Sequence, residues 1–314
     1  MKDSDFKNKR ILITGINGFI GKALEKRLSF LGVIVFGISK SSGDGNKILK
    51  ADVLNYKEID KFIKDKKIQI CYHLAGESLV EEGQSRPFET FKVNIEGTLN
   101  ILEIARKNNL EKIIIASTAH VYGDNPVPYL EEYTPRPSRP YETSKACTDL
   151  LAQSYADSFN LPVLIPRFVN IYGPGDLNLN RLIPKTIKNV LNGKSPEMWG
   201  GSAMRDYIYI DDAIDAYVSL GKLDKKLVER NRIYNFGTGN LISVKDLIEK
   251  IIDLSGANLS IKILNKKRSN EITVQYLSSK KASRILAWKP GYALDAGLKK
   301  TLVWYKDYFN KVML

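Results

Sequence analysis

Only two cysteines, Cys71 and Cys147, occur in 314 residues, so no disulfide framework can form and no cysteine cluster has metal-ligand spacing. Both are expected as free thiols of a protein kept in a reducing compartment. No apolar run reaches the roughly 18 residues that a membrane-spanning helix needs. The opening Met1-Lys2-Asp3-Ser4-Asp5 has no apolar signal core, so a cytoplasmic location is expected. Internal repeats, low-complexity stretches and a Gly/Ser linker are also missing, which leaves one large domain or two closely joined lobes. A basic run interleaved with aromatics is absent too. The formal charge of +13 is spread over lysines mixed with acids, as at Lys57-Glu58 and Glu249-Lys250. That pattern excludes a nucleic-acid surface, although the positive balance would steer an anionic substrate.

The first half alternates short apolar runs with helical patterns, as in a parallel sheet covered by helices. Strands are expected at 11–14, 33–38, 68–73, 112–117 and 163–167, with helices at 19–31, 56–64, 87–108 and 141–159. Beyond about residue 175 the pattern loosens. Helices are expected there at 182–191, 211–220, 244–254, 280–286 and 293–308.

The first strand runs into Thr14-Gly15-Ile16-Asn17-Gly18-Phe19-Ile20-Gly21. Gly15 permits a tight turn, Gly18 lets backbone approach a pyrophosphate, and Gly21 allows close helix packing. A helix beginning there favours negative charge at its amino end. Asn17, Phe19 and Ile20, in the same turn, are candidate cofactor contacts. The second strand ends Ser39-Lys40-Ser41, with no acid until Asp44. A carboxylate there would bind a ribose 2′-hydroxyl, whereas Ser39, Lys40 and Ser41 can donate to a 2′-phosphate, so NADP is favoured over NAD. Further on, Tyr141 and Lys145 stand one helical turn apart on one face. An ammonium so placed lowers the phenol's pKa and makes Tyr141 a usable proton acceptor. The expected fold is α/β: a Rossmann-type doubly wound parallel sheet over 1–175 and a smaller α/β substrate-binding lobe over 176–314, with some crossing of chain between them.

Together these residues resemble the extended short-chain dehydrogenase/reductase superfamily, in its NAD-dependent epimerase/dehydratase branch. The resemblance covers nearly the whole chain. It includes Asp52-Val53, His73-Leu74-Ala75-Gly76, Asn94-Ile95-Glu96-Gly97-Thr98 and Ser117-Thr118-Ala119-His120-Val121-Tyr122-Gly123. It continues through Arg167-Phe168-Val169-Asn170-Ile171-Tyr172-Gly173-Pro174, Arg205-Asp206-Tyr207-Ile208-Tyr209-Ile210-Asp211-Asp212 and Trp288-Lys289-Pro290.

The resemblance implies a nucleotide-diphosphate sugar, hydride transfer at a sugar carbon, usually C4, and a homodimer packed through helices near 90–108 and 142–159. Leu99, Leu102, Ile104, Leu150 and Leu151 have the spacing for such packing. Tyr141 would take the hydroxyl proton, Lys145 would hold the nicotinamide ribose, and Thr118 would hydrogen-bond the reacting oxygen. Asp52, Val53, Leu74, Ala75, Gly76, Asn94 and Ser117 fall at cofactor positions. Asn170, Arg205 and Arg268 fall at diphosphate positions, where a planar guanidinium suits phosphate. Arg181 lies in the loop that usually covers the diphosphate, and Ser78 is a further substrate candidate. Trp199 stands where an aromatic lines the base pocket, or is a core residue. Arg205 is alternatively a partner of Asp206 or Asp211.

The sugar 4,6-dehydratases of this family carry acidic groups immediately after the Thr, where this chain has Ala119 and His120. Ala119 cannot do acid–base work; His120 can. An ordinary dehydratase is therefore disfavoured, although Gly175-Asp176-Leu177-Asn178 and Gln275-Tyr276-Leu277-Ser278 resemble dehydratases acting on CDP-hexoses. A C4-epimerase and a C4-ketoreductase rank level, and a dehydratase with His120 in place of the carboxylate ranks third. A catalytically silent dinucleotide-binding sensor is the reading from another class.

Overall fold

The structure, a computed structural model, describes residues 6–264 and 272–312. In chain order the strands are β1 (Arg10–Thr14), β2 (Ile34–Ser39), β3 (Ile48–Lys50), β4 (Ile70–His73), β5 (Lys112–Ile115), β6 (Ser117–Thr118) and β7 (Val163–Phe168). Then come β8 (Asn170–Tyr172), β9 (Glu197–Trp199), β10 (Met204–Tyr209), β11 (Ile233–Phe236), β12 (Leu241–Ser243), β13 (Lys262–Leu264) and β14 (Val274–Gln275). The main sheet runs β11-β7-β5-β4-β1-β2-β3, with β6 also on β7, and every pairing in it is parallel.

Its central strands are buried along their length because helices cover both faces, which is why they read as unbroken apolar runs. Side chains still alternate. Ile11 and Ile13 join one core cluster and Leu12 the other, while Ile70 and Tyr72 face away from Cys71. Cys71 and Cys147 are both free, and burial pushes the Cys71 thiol up.

The helix expected at 87–108 is divided. Pro87–Phe91 is α-helical, Lys92–Glu96 is a π-turn and Gly97–Lys107 is α-helical again. The extra residue of a π-turn re-aims a side chain. Here Asn94 is buried and bonds the loop that follows β4. The expected strand at 112–117 is likewise interrupted at Ala116, between β5 and β6.

The boundary at residue 175 is crossed in both directions. β8 precedes it yet pairs with β10, in a second sheet that also holds β12 and β14. β11 follows it yet forms an edge of the main sheet, and the helix Ile210–Lys222 packs against the helix Phe19–Phe30. Among the described residues, no helix is long and apolar enough to cross a membrane.

Candidate active site

A cleft of ≈ 530 Å³ opens at the carboxyl ends of the main-sheet strands and is closed on its far side by the second sheet. In doubly wound sheets this is where loops leave the strands and ligands bind.

The glycine turn after β1 forms one wall. Gly15 has φ +72, and a Cβ on it would stand 3.0 Å from the Ala75 backbone. A Cβ on Gly21 would fall 2.3 Å from the Gly15 carbonyl oxygen. Gly18 caps the helix Phe19–Phe30 without a side-chain hydrogen bond, and the first turn carries no acid. Its opening N–H groups therefore face the cleft without a competing carboxylate, which fits the pyrophosphate of a dinucleotide. Phe19 and Ile20 line the cleft. Asn17 turns the other way and donates to Ser39 Oγ at 2.9 Å and Ser42 Oγ at 2.9 Å.

The end of β2 differs from a free phosphate claw. The Ser39 and Ser41 hydroxyls bond to each other at 3.1 Å. Lys40 pairs with Asp52 at 3.1 Å. Burial pushes the Asp52 carboxyl up, but the Leu54 N–H and Lys40 outweigh it and hold it below its ordinary range. The preference for NADP gains no support from this arrangement, because the cation meant for a 2′-phosphate already has a carboxylate. Val53 is buried beside Gly97.

The loop after β4 is held from beneath. Thr14 Oγ1 accepts from the N–H groups of Leu74 (3.2 Å) and Ala75 (3.1 Å) and bonds His73 Nδ1 at 2.8 Å. His73 Nε2 meets Thr98 at 3.1 Å. Burial, helped by the Lys145 charge, pushes His73 down to about 3, so it packs as a neutral ring. Asn94 bonds the Glu77 N–H (2.8 Å), the Glu77 carbonyl (3.1 Å) and Ser144 Oγ (2.8 Å). Its side chain is thus occupied in positioning the loop at Gly76.

Thr118, Tyr141 and Lys145 converge on one side of the cleft, as the resemblance implies. Thr118 ends β6 and Tyr141 begins the helix Pro140–Phe159, and the Thr118 hydroxyl is near enough to act on the Tyr141 phenol. The expected lowering of the phenol by Lys145 is not what the protein alone produces. Burial raises the Tyr141 pKa, and the contributions pulling it down come from Thr118 and Arg181. Lys145 is itself pushed down to about 8 by burial, against the opposing charge of Asp149 one turn on. Ser117 is buried and donates to Asp149 Oδ2 at 3.1 Å.

His120 also lines the cleft. Its backbone N–H donates to Thr118 Oγ1 at 3.3 Å, and its ring stands edge-on to Tyr141 with centroids 6.2 Å apart. Nδ1 lies 3.5 Å from Glu142 Oε1. Ala119 is buried.

On the opposite wall, Arg181 reaches across the cleft. It donates to Ser78 Oγ at 2.9 Å and pairs with Asp176 at 3.1 Å. Asn170 and Arg205 line the cleft; Asn170 donates to the Asp206 carbonyl at 3.3 Å and Arg205 to the Met204 carbonyl at 2.9 Å. The Asp206 carboxylate is taken up by Thr238 and Gly239. Trp199 lies on β9, its side chain outside those described, and Arg268 lies outside the described residues.

The profile of the NAD dependent epimerase/dehydratase family matches residues 11–237. The chain belongs to this family. A putative UDP-glucose 4-epimerase of Methanocaldococcus jannaschii is 32% identical over 312 residues, covering 95% of this chain and 98% of its own. The human dTDP-D-glucose 4,6-dehydratase is 28% identical, over 96% of this chain and 91% of its own. Among solved structures, the UDP-glucuronic acid 4-epimerase of Bacillus cereus, in complex with UDP-glucuronic acid and NAD, superposes with a TM-score of 0.86 at 28% identity, covering 95% and 99% of the two chains.

Two parts of this epimerase/dehydratase cleft escaped sequence reasoning. Glu142, next to Tyr141, was assigned no role from the sequence but is buried and faces His120. Its signal was its place at the third helical position, where a carboxylate closes a capping box. Asp149 and Arg167 form a buried ion pair behind Ser117 and Lys145. Arg167 alone, ending an apolar strand, gave no hint of its partner.

Proposed function

We propose that the chain is a nucleotide-sugar C4-epimerase dependent on a nicotinamide dinucleotide, in which Tyr141 moves the proton of the C4 hydroxyl. The observation that carries this is the convergence of Thr118, Tyr141 and Lys145 on one cleft that Phe19 and Ile20, at the end of the glycine turn, also line. The dinucleotide, held by the turn Gly15–Gly21 and by Lys145, supplies hydride exchange at the sugar carbon. Thr118 orients the reacting oxygen and Tyr141 accepts and returns its proton. Arg181, Arg205 and Asn170 bind the diphosphate, Arg181 by exchanging Ser78 for phosphate oxygens. Ala119 leaves no acid for an ordinary dehydration, which favours the epimerase. NAD is favoured over NADP by the pairing of Lys40 with Asp52 and by NAD in the B. cereus relative. A C4-ketoreductase uses the same residues and differs in exchanging its reduced cofactor.

The chain is further proposed to form a homodimer through the helices Gly97–Lys107 and Pro140–Phe159. Leu99 is 39% exposed and Leu150 is 54% exposed, whereas Leu102 and Ile104 are core residues and unavailable for it. Sedimentation of wild type and Leu150→Arg tests this, with loss of the dimer in the variant expected.

The function is tested by offering UDP-glucose, UDP-glucuronic acid, UDP-N-acetylglucosamine and dTDP-glucose with NAD and following C4 inversion by NMR. Inversion of at least one sugar is expected. Tyr141→Phe should bind that sugar normally and turn it over about 100-fold more slowly or worse. A wild-type protein that binds NAD and inverts none of the sugars would be read as a dinucleotide sensor instead.

A further inference from the structure

Arg181 stands at the end of a loop, and that loop is fastened from the far end of the chain. Residues 173–181 join β8 to the helix Leu182–Leu191. Within them the Asn178 N–H donates to Asp176 Oδ1, the Asn180 N–H to Asn178 Oδ1 and the Arg181 N–H to the Asn178 carbonyl, each at 3.1 Å. Asp176 Oδ2 then accepts from Arg181 Nη1 at 3.1 Å. These bonds close Asp176 to Arg181 into one unit. All of them are local, so none fixes where the unit stands over the cleft.

The tie comes from Tyr305. Its hydroxyl donates to the Asp176 carbonyl, 129 positions away in the chain, and both residues are buried. Among the described residues, this bond and that of Arg181 to Ser78 are the hydrogen bonds that join the unit to anything but the helix it leads into. The Ser78 bond breaks when Arg181 turns to phosphate, which leaves Tyr305 as the fixed point.

Tyr305 is itself held firmly. It belongs to the helix Leu294–Val312, which packs against the helix Leu182–Leu191 and against β10, the strand of Arg205. At the start of that helix the Leu294 carbonyl accepts from Tyr172, a β8 residue lining the cleft, at 3.1 Å. Trp304 stands edge-on to the Tyr305 ring with centroids 5.0 Å apart, and Phe309 stacks on it at 5.8 Å. A ring enclosed in this way keeps its hydroxyl in one place.

We propose that Tyr305 is a positioning residue for the nucleotide diphosphate, acting through Asp176 on Arg181. This rests on the assignment of Arg181 to the diphosphate. Asp176 keeps Nη1 while Nη2 passes from Ser78 to a phosphate oxygen, so the guanidinium turns about a fixed point. Preorganisation of that kind raises affinity by lowering the ordering cost of binding.

Nucleoside diphosphates test this without any sugar chemistry. Calorimetry with UDP, dTDP and CDP compares wild type, Tyr305→Phe, Arg181→Ala and the double variant, with NAD affinity and melting temperature measured beside each. Wild type should bind at least one of the three, and Arg181→Ala should weaken that binding about 10–100-fold. Tyr305→Phe, which keeps the ring, should weaken it about 3–10-fold and leave NAD affinity unchanged. In the Arg181→Ala background the same change should cost nothing further. Asp176→Asn, which removes the charge that holds Nη1, should weaken binding at least as much as Tyr305→Phe and show the same dependence on Arg181. Equal losses in both backgrounds, a matching loss of NAD affinity, or no loss in Tyr305→Phe would overturn the positioning role and leave the proposed function standing. Arg181→Ala binding as wild type does, or a wild type that binds none of the three, overturns the diphosphate assignment and the positioning role with it.

Discussion

Arg167 and Asp149 meet in a two-point ion pair, Nε to Oδ2 at 2.8 Å and Nη2 to Oδ1 at 2.9 Å, with both side chains buried. Arg167 also lies over the Tyr122 ring, 4.7 Å from its centroid. Asp149 stands one turn beyond Lys145 and accepts from Ser117. The pair thus ties the helix carrying Tyr141 to β6 and β7, directly behind Thr118. Planar, bidentate geometry favours arginine over lysine at such a place.

Removing one partner of that pair leaves the other charged and enclosed. Asp149→Ala is expected to lower the unfolding free energy by about 3–5 kcal/mol in urea titrations. Adding Arg167→Met should recover much of the loss, because apolar replacement of a whole buried pair is often nearly neutral. A double variant no better than the single one would show that the two residues act separately.

Lys145 gives the site a pH limit. Its ammonium is present below a pKa of about 8 and lost above it. Wild-type kcat/KM, which reports the free protein, should therefore fall as pH rises through about 8. Lys145→Arg keeps its charge there, so its profile should lack that limb even though its maximum is lower. A wild-type profile still climbing above this region would remove Lys145 from the step.

At Gly15 the turn has no room for a side chain. Alanine there adds the strain of a left-handed residue, about 1–2 kcal/mol, and a contact of 3.0 Å with the Ala75 backbone. NAD affinity by calorimetry is expected to weaken about 10-fold or more. Gly45, also at positive φ, has open space around its Cβ position and serves as the control.

Glu142 links the cleft to stability. Burial opposes its charge, but His120, the Ser138 N–H and Arg139 outweigh that and hold its carboxyl below the ordinary 4.5. A depressed carboxyl stabilises the fold above 4.5 and loses that contribution as pH falls through its lower folded value. Glu142→Gln should therefore cost about 1 kcal/mol at neutral pH, the scale of a lost cap. The gap between the two proteins should narrow in denaturant titrations below pH 4.5. A gap that widens there would contradict the sign.

The strands of the main sheet were legible because helices cover both faces and force continuous apolar runs. The helix ends at Phe19, Leu182 and Lys280 were legible from periodicity as well. The π-turn at Lys92–Glu96 was not, since it answers to a loop elsewhere in the chain. The three-residue β3 was missed for its length, and β11 because no local signal says which sheet a short apolar run will join.

By itself the sequence determined the parallel sheet, the glycine turn and the shared helical face of Tyr141 and Lys145. These follow from local periodicity, from steric room at glycine and from the rise of a helix. Only the tertiary structure decided the partners: Glu142 for His120, Asp149 for Arg167, Asp52 for Lys40 and Ser78 for Arg181. The last two residues are 103 positions apart in the chain. Such pairs depend on where separate elements meet, and a buried charge or imidazole takes its state from whichever group stands within a few ångströms.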